Sequence, residues 1–240
     1  NIYDSGKQLV GYFLNIPKIE GVRKEDAANA VQDLRDMFVG DEFAAFRELI
    51  VQSGKKQNGK SLAPISQEAL AKALDGANLN ADQQALVEMT VNTINSADVH
   101  IVEYQSAENV LSSSGKEAFL PGYMSNPEVA PFMAQILDVN GGLPMFLLMG
   151  DGGAGATVST KKGTHSVIHD KAQTRPAILG HEIIGHGRSL SLGRLSTQHE
   201  DAVRTENLIY RVMGINKTLN GSNHATGTII RNPQIIPSFR

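Results

Sequence analysis

His181, Glu182 and His186 lie within ten residues of one another in the stretch "AILGHEIIGHG". Two imidazoles and a carboxylate so close together could hold a metal ion and move a proton. Their spacing makes a strict demand on the backbone. On a regular α-helix, residues four apart differ in direction by only about 40°, whereas residues five apart differ by about 140°. His181 and His186 are five apart. They can share one ion only if the helix takes a wide π turn, which absorbs the extra residue and restores the common facing. Gly180, Gly185 and Gly187 surround the pair, and glycine lowers the cost of such a distortion. The flanking Ala177, Ile178, Leu179, Ile183 and Ile184 make the helix a buried one. Buried imidazoles and carboxylates need partners.

The elements around this helix follow from periodicity and capping. Residues 24–38, 41–54, 66–74 and 80–97 carry apolar residues at helical spacing between polar turns. Residues 98–104 alternate and are β-branched, which predicts a strand; 155–160 and 164–169 predict two more, joined at "KKG". The apolar run 144–149 reads as a buried strand, and 126–137 as a short helix. Residues 175–190 form the helix of the His/Glu group, opened by a proline, and 196–214 a second helix closed by Gly214. The last 25 residues, rich in Asn, Gly and Pro, read as loop. The expected class is α+β, with a mostly helical region over 1–97 and a second region over 98–240, or one continuous domain.

Composition narrows the chemistry. The 240 residues contain no cysteine, so thiolate metal sites and disulfides are excluded and any transition metal must be held by His and carboxylate. Absence of cysteine suits an exported bacterial protein. The net charge of −3, without a basic stripe, argues against nucleic acid as partner. The apolar runs are too short to span a bilayer. The chain shows no signal peptide and does not open with Met, so it reads as processed or cut from a longer protein.

The hexapeptide "HEIIGH" resembles the zinc motif H-E-x-x-G-H of the dipeptidyl peptidase III family. That resemblance implies that His181 and His186 bind Zn2+ and that Glu182 activates water. Residues 150–215 also resemble the zincin-like metallopeptidase domains of bacterial toxins and effectors. They carry, in order, "GTHSVIHD", "GHEIIGHG" and "EDAVRTENLIYRVMG". This implies a zincin-like catalytic half, a secreted or translocated hydrolase, a protein or peptide substrate, and a cognate inhibitor or immunity protein. It places the acidic zinc ligand at Glu200, with Asp201 bracing a ligand histidine or the two exchanged; His199 is an alternative and Glu206 a weaker one. A donor for the oxyanion is expected from His224 or Tyr210. The strand over 164–169 is the one expected to pair with an extended substrate. Two other readings stand beside the peptidase. One is a non-enzymatic binding or structural domain with a structural metal site or none, and the other is a zinc amidase acting on peptidoglycan.

Overall fold

The computed structural model describes residues 19–54, 59–149, 154–222 and 227–239. The fold is α+β. Four strands form one mixed sheet in the order β1-β2-β4-β3, with β1 Ile19–Gly21, β2 Val99–Gln105, β3 Gly155–Thr160 and β4 Gly163–His169. β1, β2 and β4 run parallel, and β3 returns antiparallel to β4 through the turn at 161–162. β2 and β4 are therefore central, while β3 is hydrogen-bonded only to β4 among the described residues.

The helices divide between the two faces. Lys24–Asp36 (α1), Ala44–Leu49 (α2), Gln67–Ala73 (α3) and Ala81–Ile94 (α4) come from the first part of the chain. Asn80 caps α4, accepting from the Gln83 N–H while the Gln83 side chain bonds back to the Asn80 N–H. Residues 41–54 do not form one helix: a 3-10 turn at Asp41–Phe43 precedes α2, and Ile50 is extended. Ser113–Met124 (α5), Ala130–Asn140 (α6) and Phe146–Met149 (α7) follow β2. The expected strand at 144–149 is instead one bridge, Val110 to Pro144, followed by the helical turn α7. A short apolar run is satisfied by either geometry, and here Leu143 and Met145 are buried without a strand. Arg175–Leu179 (α8) leads into the His/Glu segment and Arg188–Ser191 (α9) leaves it; Gln198–Val212 is α10.

Period-two alternation sorts the sheet's side chains between two cores. On one face, Val102, Tyr104 and Ile168 join Ile19, Leu34, Phe38, Leu86, Leu179, Ile183, Ile184 and Ile209. This core draws on residues from both sides of position 97, and β1 from the front of the chain belongs to the same sheet. On the other face, Val167 packs with Leu111, Phe119, Met133, Leu143 and Met145 from the α5–α7 layer, against Ala156 and Val158 of β3. α8 is tied to the larger core by a buried polar link. The Arg175 guanidinium donates to both Asp33 oxygens, at 2.8 to 3.0 Å, and Tyr104 donates to the same carboxylate at 2.8 Å. The start of the His/Glu helix is thus keyed to α1 and β2.

Two buried groups on opposite faces of β2 set how the fold responds to acid. Burial pushes the His100 imidazole down to about 4, with Asp98 opposing the shift and Arg188 adding to it. Burial would raise Glu103, but bonds from His165, Gln105 and Ser112 bring it down to about 2. Both groups bind fewer protons folded than unfolded, so each contributes stability that is lost as pH falls. The loss is expected in stages: His100 between pH 6.5 and about 4, then Glu103 between 4.5 and about 2. Urea unfolding across this range should show His100→Asn flattening the upper stage and Glu103→Gln the lower. Equal pH slopes in all three proteins would refute the assignment.

Candidate metal centre

From Gly180 to Gly187 the helix winds as a π-helix before returning to α geometry at Arg188. The wide turn demanded by the five-residue spacing is present over the segment that needs it. His181 and His186 come together edge to face, with ring centres 5.0 Å apart. His181, Glu182 and His186 are all buried. The three glycines have ordinary negative φ, so left-handed backbone is not their role. They make room. A Cβ on Gly185 would stand 2.5 Å from the Ala202 Cα, and one on Gly180 would meet the Ile209 side chain. Through these contacts α10 lies directly against the π segment.

That approach decides which residues of α10 face the histidines. His199 and Glu206 are seven apart and share one stripe of the helix. Glu206 Oε2 lies 2.8 Å from His181 Nδ1, and the His199 ring centre is 5.1 Å from that of His186. Gln198 Oε1 lies 3.2 Å from His186 Nδ1 and accepts a hydrogen bond from it when that nitrogen carries the proton. Glu200 and Asp201 fall on other stripes. Glu200 pairs with Arg204 at 3.1 Å near the surface. Asp201 is buried and accepts from Ser189, Arg194 and Thr197, fastening the connection between the two helices. The structure therefore brings Glu206 and His199 to His181 and His186, and directs Glu200 and Asp201 elsewhere. Tyr210 is brought to the cluster but behind it: its hydroxyl donates to Glu206 Oε1 at 2.6 Å. It is engaged with the carboxylate rather than aimed as an oxyanion donor. His224 lies outside the described residues.

Glu182 faces the sheet. Thr157 Oγ1 of β3 donates to Glu182 Oε2 at 2.6 Å and accepts from Ser166 of β4 at 2.8 Å. Gly155 leaves the space that the Glu182 side chain fills. Sequence reasoning missed Thr157. Its signal was alternation, which puts Thr157 on the face opposite Ala156 and Val158. Among the described residues, the strand beside Glu182 with an outer edge is β3; β4, the expected pairing strand, is enclosed by β2 and β3.

The electrostatics join these groups into one unit. Burial raises the Glu182 carboxyl above its ordinary range, the His181 charge and Thr157 bond oppose this, and Glu206 adds to it. A buried carboxylate displaced toward neutrality is suited to accept and return a proton. Burial would lower His181, but contact with Glu206 and the charge of Glu182 raise it overall. Burial likewise works against Glu206 ionisation, and His181, Tyr210 and Lys217 reverse it, so this carboxylate is held below its usual range. His199 is lowered by burial and by the His181 charge.

Among the described residues, no group of three or more His, Asp or Glu side chains has its donors set for a metal ion as the side chains stand. The 2.8 Å contact of His181 with Glu206 is that of an ion pair when the imidazole is protonated. Two ligands on one tetrahedral zinc, each about 2.0–2.2 Å from it, stand roughly 3.3 Å apart. The donor types, two imidazoles and a carboxylate, are those of catalytic zinc sites, and the His181–Glu206 pair stands about 0.5 Å closer than that spacing. Comparison with protein-family models, with curated proteins and with solved structures gave no match for this chain.

Proposed function

We propose that this protein is a zinc-dependent metallopeptidase, with His181, His186 and Glu206 as the metal-holding side chains and Glu182 as general base. The observation that carries this reading is the π-helix, which brings the two imidazole rings within 5.0 Å of each other and leaves Glu182 beside them against β3. π turns inside α-helices are frequent at functional sites. Zinc, when bound, lowers the pKa of a water and polarises a carbonyl. Glu182 would supply the base that accepts a proton from water and returns it to the leaving amine. Thr157 holds Glu182 in register for both transfers. The outer edge of β3 offers backbone groups to an extended peptide running past Glu182. The likeness of residues 150–215 to toxin and effector domains supports a secreted or translocated bacterial hydrolase acting on protein or peptide, restrained by a cognate inhibitor. Among the described residues no helix is long and apolar enough to cross a membrane.

His199 is the other nitrogen donor within reach, favoured by its ring contact with His186. Elemental analysis of protein purified with zinc present tests both ligand sets. The expected result is about one zinc per chain, lost in His186→Ala and Glu206→Ala and kept in His199→Ala. Loss in His199→Ala with retention in Glu206→Ala would exchange the third ligand. No zinc in the parent protein would overturn the proposal and leave a binding domain as the better reading.

A further inference from the structure

Behind Glu206 a polar chain runs outward that the proposed chemistry does not use. Lys217 Nζ donates to Tyr210 Oη at 3.1 Å and lies 5.0 Å from the centre of its ring. Tyr210 passes its own proton toward Glu206 Oε1, leaving Oε2 to the His181 side. Tyr210 is fully buried, whereas Lys217 is exposed, on the segment that follows α10. That segment is not left to wander. Gly214 turns it with φ of 70°, and the Ile215 N–H returns to the Tyr210 carbonyl at 2.8 Å. Asn207, buried and adjacent to Glu206, clamps it two residues beyond Lys217. Its side chain accepts from the Leu219 N–H at 2.7 Å and donates to the Leu219 carbonyl at 2.9 Å. An ammonium, a phenol and a carboxylate are thus held in line by backbone bonds on either side of the lysine.

We infer that Lys217 and Tyr210 are positioning residues, which fix the Glu206 carboxylate so that one oxygen is spent on the phenol and the other is presented to the His181 side of the site. The hydrogen bonds of outer residues orient metal-binding side chains, and their loss typically weakens metal affinity about 10- to 100-fold. The phenol bond restrains rotation of the carboxylate, and the ammonium holds the phenol in its donating orientation. This inference rests on the zinc reading for its functional consequence, but the geometry can be tested without metal.

The experiment compares Tyr210→Phe, Lys217→Met and Lys217→Arg with the parent protein. Because Lys217 is exposed, its variants keep the fold if Tyr210→Phe does not, and circular dichroism checks this. In metal-free protein, the ring nitrogen resonances of His181, read by NMR, report the contact with Glu206. They are expected to move in Tyr210→Phe and Lys217→Met and to return in Lys217→Arg. Zinc competition against a chromophoric chelator should then show affinity reduced about 10- to 100-fold in Tyr210→Phe, less in Lys217→Met, and restored in Lys217→Arg. Unmoved His181 resonances together with unchanged zinc affinity would overturn the inference. Resonances that move in the variants while the parent protein binds no zinc would overturn the metal reading alone and leave the positioning role standing.

Discussion

Glu182→Gln is expected to lower peptide cleavage by roughly 10²- to 10⁴-fold, the contribution of a positioned general base, while leaving the fold and zinc content in place. Glutamine keeps the shape of the side chain, and its amide oxygen can still accept the Thr157 hydroxyl that now bonds Glu182 at 2.6 Å. What it removes is the carboxylate, the one feature a proton transfer needs. Glu182 is not among the proposed metal-holding groups, so metal content should not follow activity down. Stability should hold or rise, because burial disfavours the ionised carboxyl. The measurements are cleavage of a quenched-fluorescent peptide pool, zinc by elemental analysis, and thermal unfolding. Parent-level turnover in the variant would remove Glu182 from the mechanism. Loss of zinc together with activity would make it a structural member of the site.

Gly185→Ala is expected to destabilise the protein by about 3 kcal/mol, at the upper end of the usual cost of forcing atoms into a packed interior. The added Cβ would lie 2.5 Å from the Ala202 Cα and 3.0 Å from its Cβ, so backbone, not a flexible side-chain tip, must give way. α10 would move outward from the π segment, carrying Glu206 and His199 away from His181 and His186. Zinc affinity should therefore fall with stability, although residue 185 carries no ligand. Gly122→Ala is the matched control. Gly122 is helical and a Cβ there meets nothing within 4 Å, so the replacement should stabilise by about 0.5–1 kcal/mol. Urea unfolding of both variants distinguishes a steric requirement at 185 from a general dependence on helix propensity. A Gly185→Ala protein as stable as its parent would mean that the two helices are not in the tight contact described.

Much of the geometry is legible in the order of residues along the chain. The five-residue interval between His181 and His186 has one simple solution if the rings are to meet, and the π-helix supplies it. The strands over 155–160 and 164–169 and the helices from 24, 66, 80, 175 and 196 follow from periodicity and caps. β1 is not legible in this way, because three residues are too few to show alternation. Nor is α5, because Pro121 and Gly122 interrupt its helical pattern.

The sequence by itself determined the chemistry on offer: no thiolate donors, a buried helix carrying two imidazoles and a carboxylate, and a backbone compelled to widen between them. The tertiary structure decided the partners. The resemblance to zincin-like domains points to Glu200 and Asp201, but a helix turns about 100° per residue, so neighbours in sequence face different ways. The phase of α10 is set where Ala202 seats on Gly185 and Ile209 on Gly180, and that phase presents His199 and Glu206. Thr157 reaches Glu182 only because β3 folds back beside β4, and Lys217 reaches Tyr210 only because Asn207 clamps the chain at Leu219. Each of these pairings joins elements whose relative rotation or position is settled by packing, a property that no local pattern along the chain encodes.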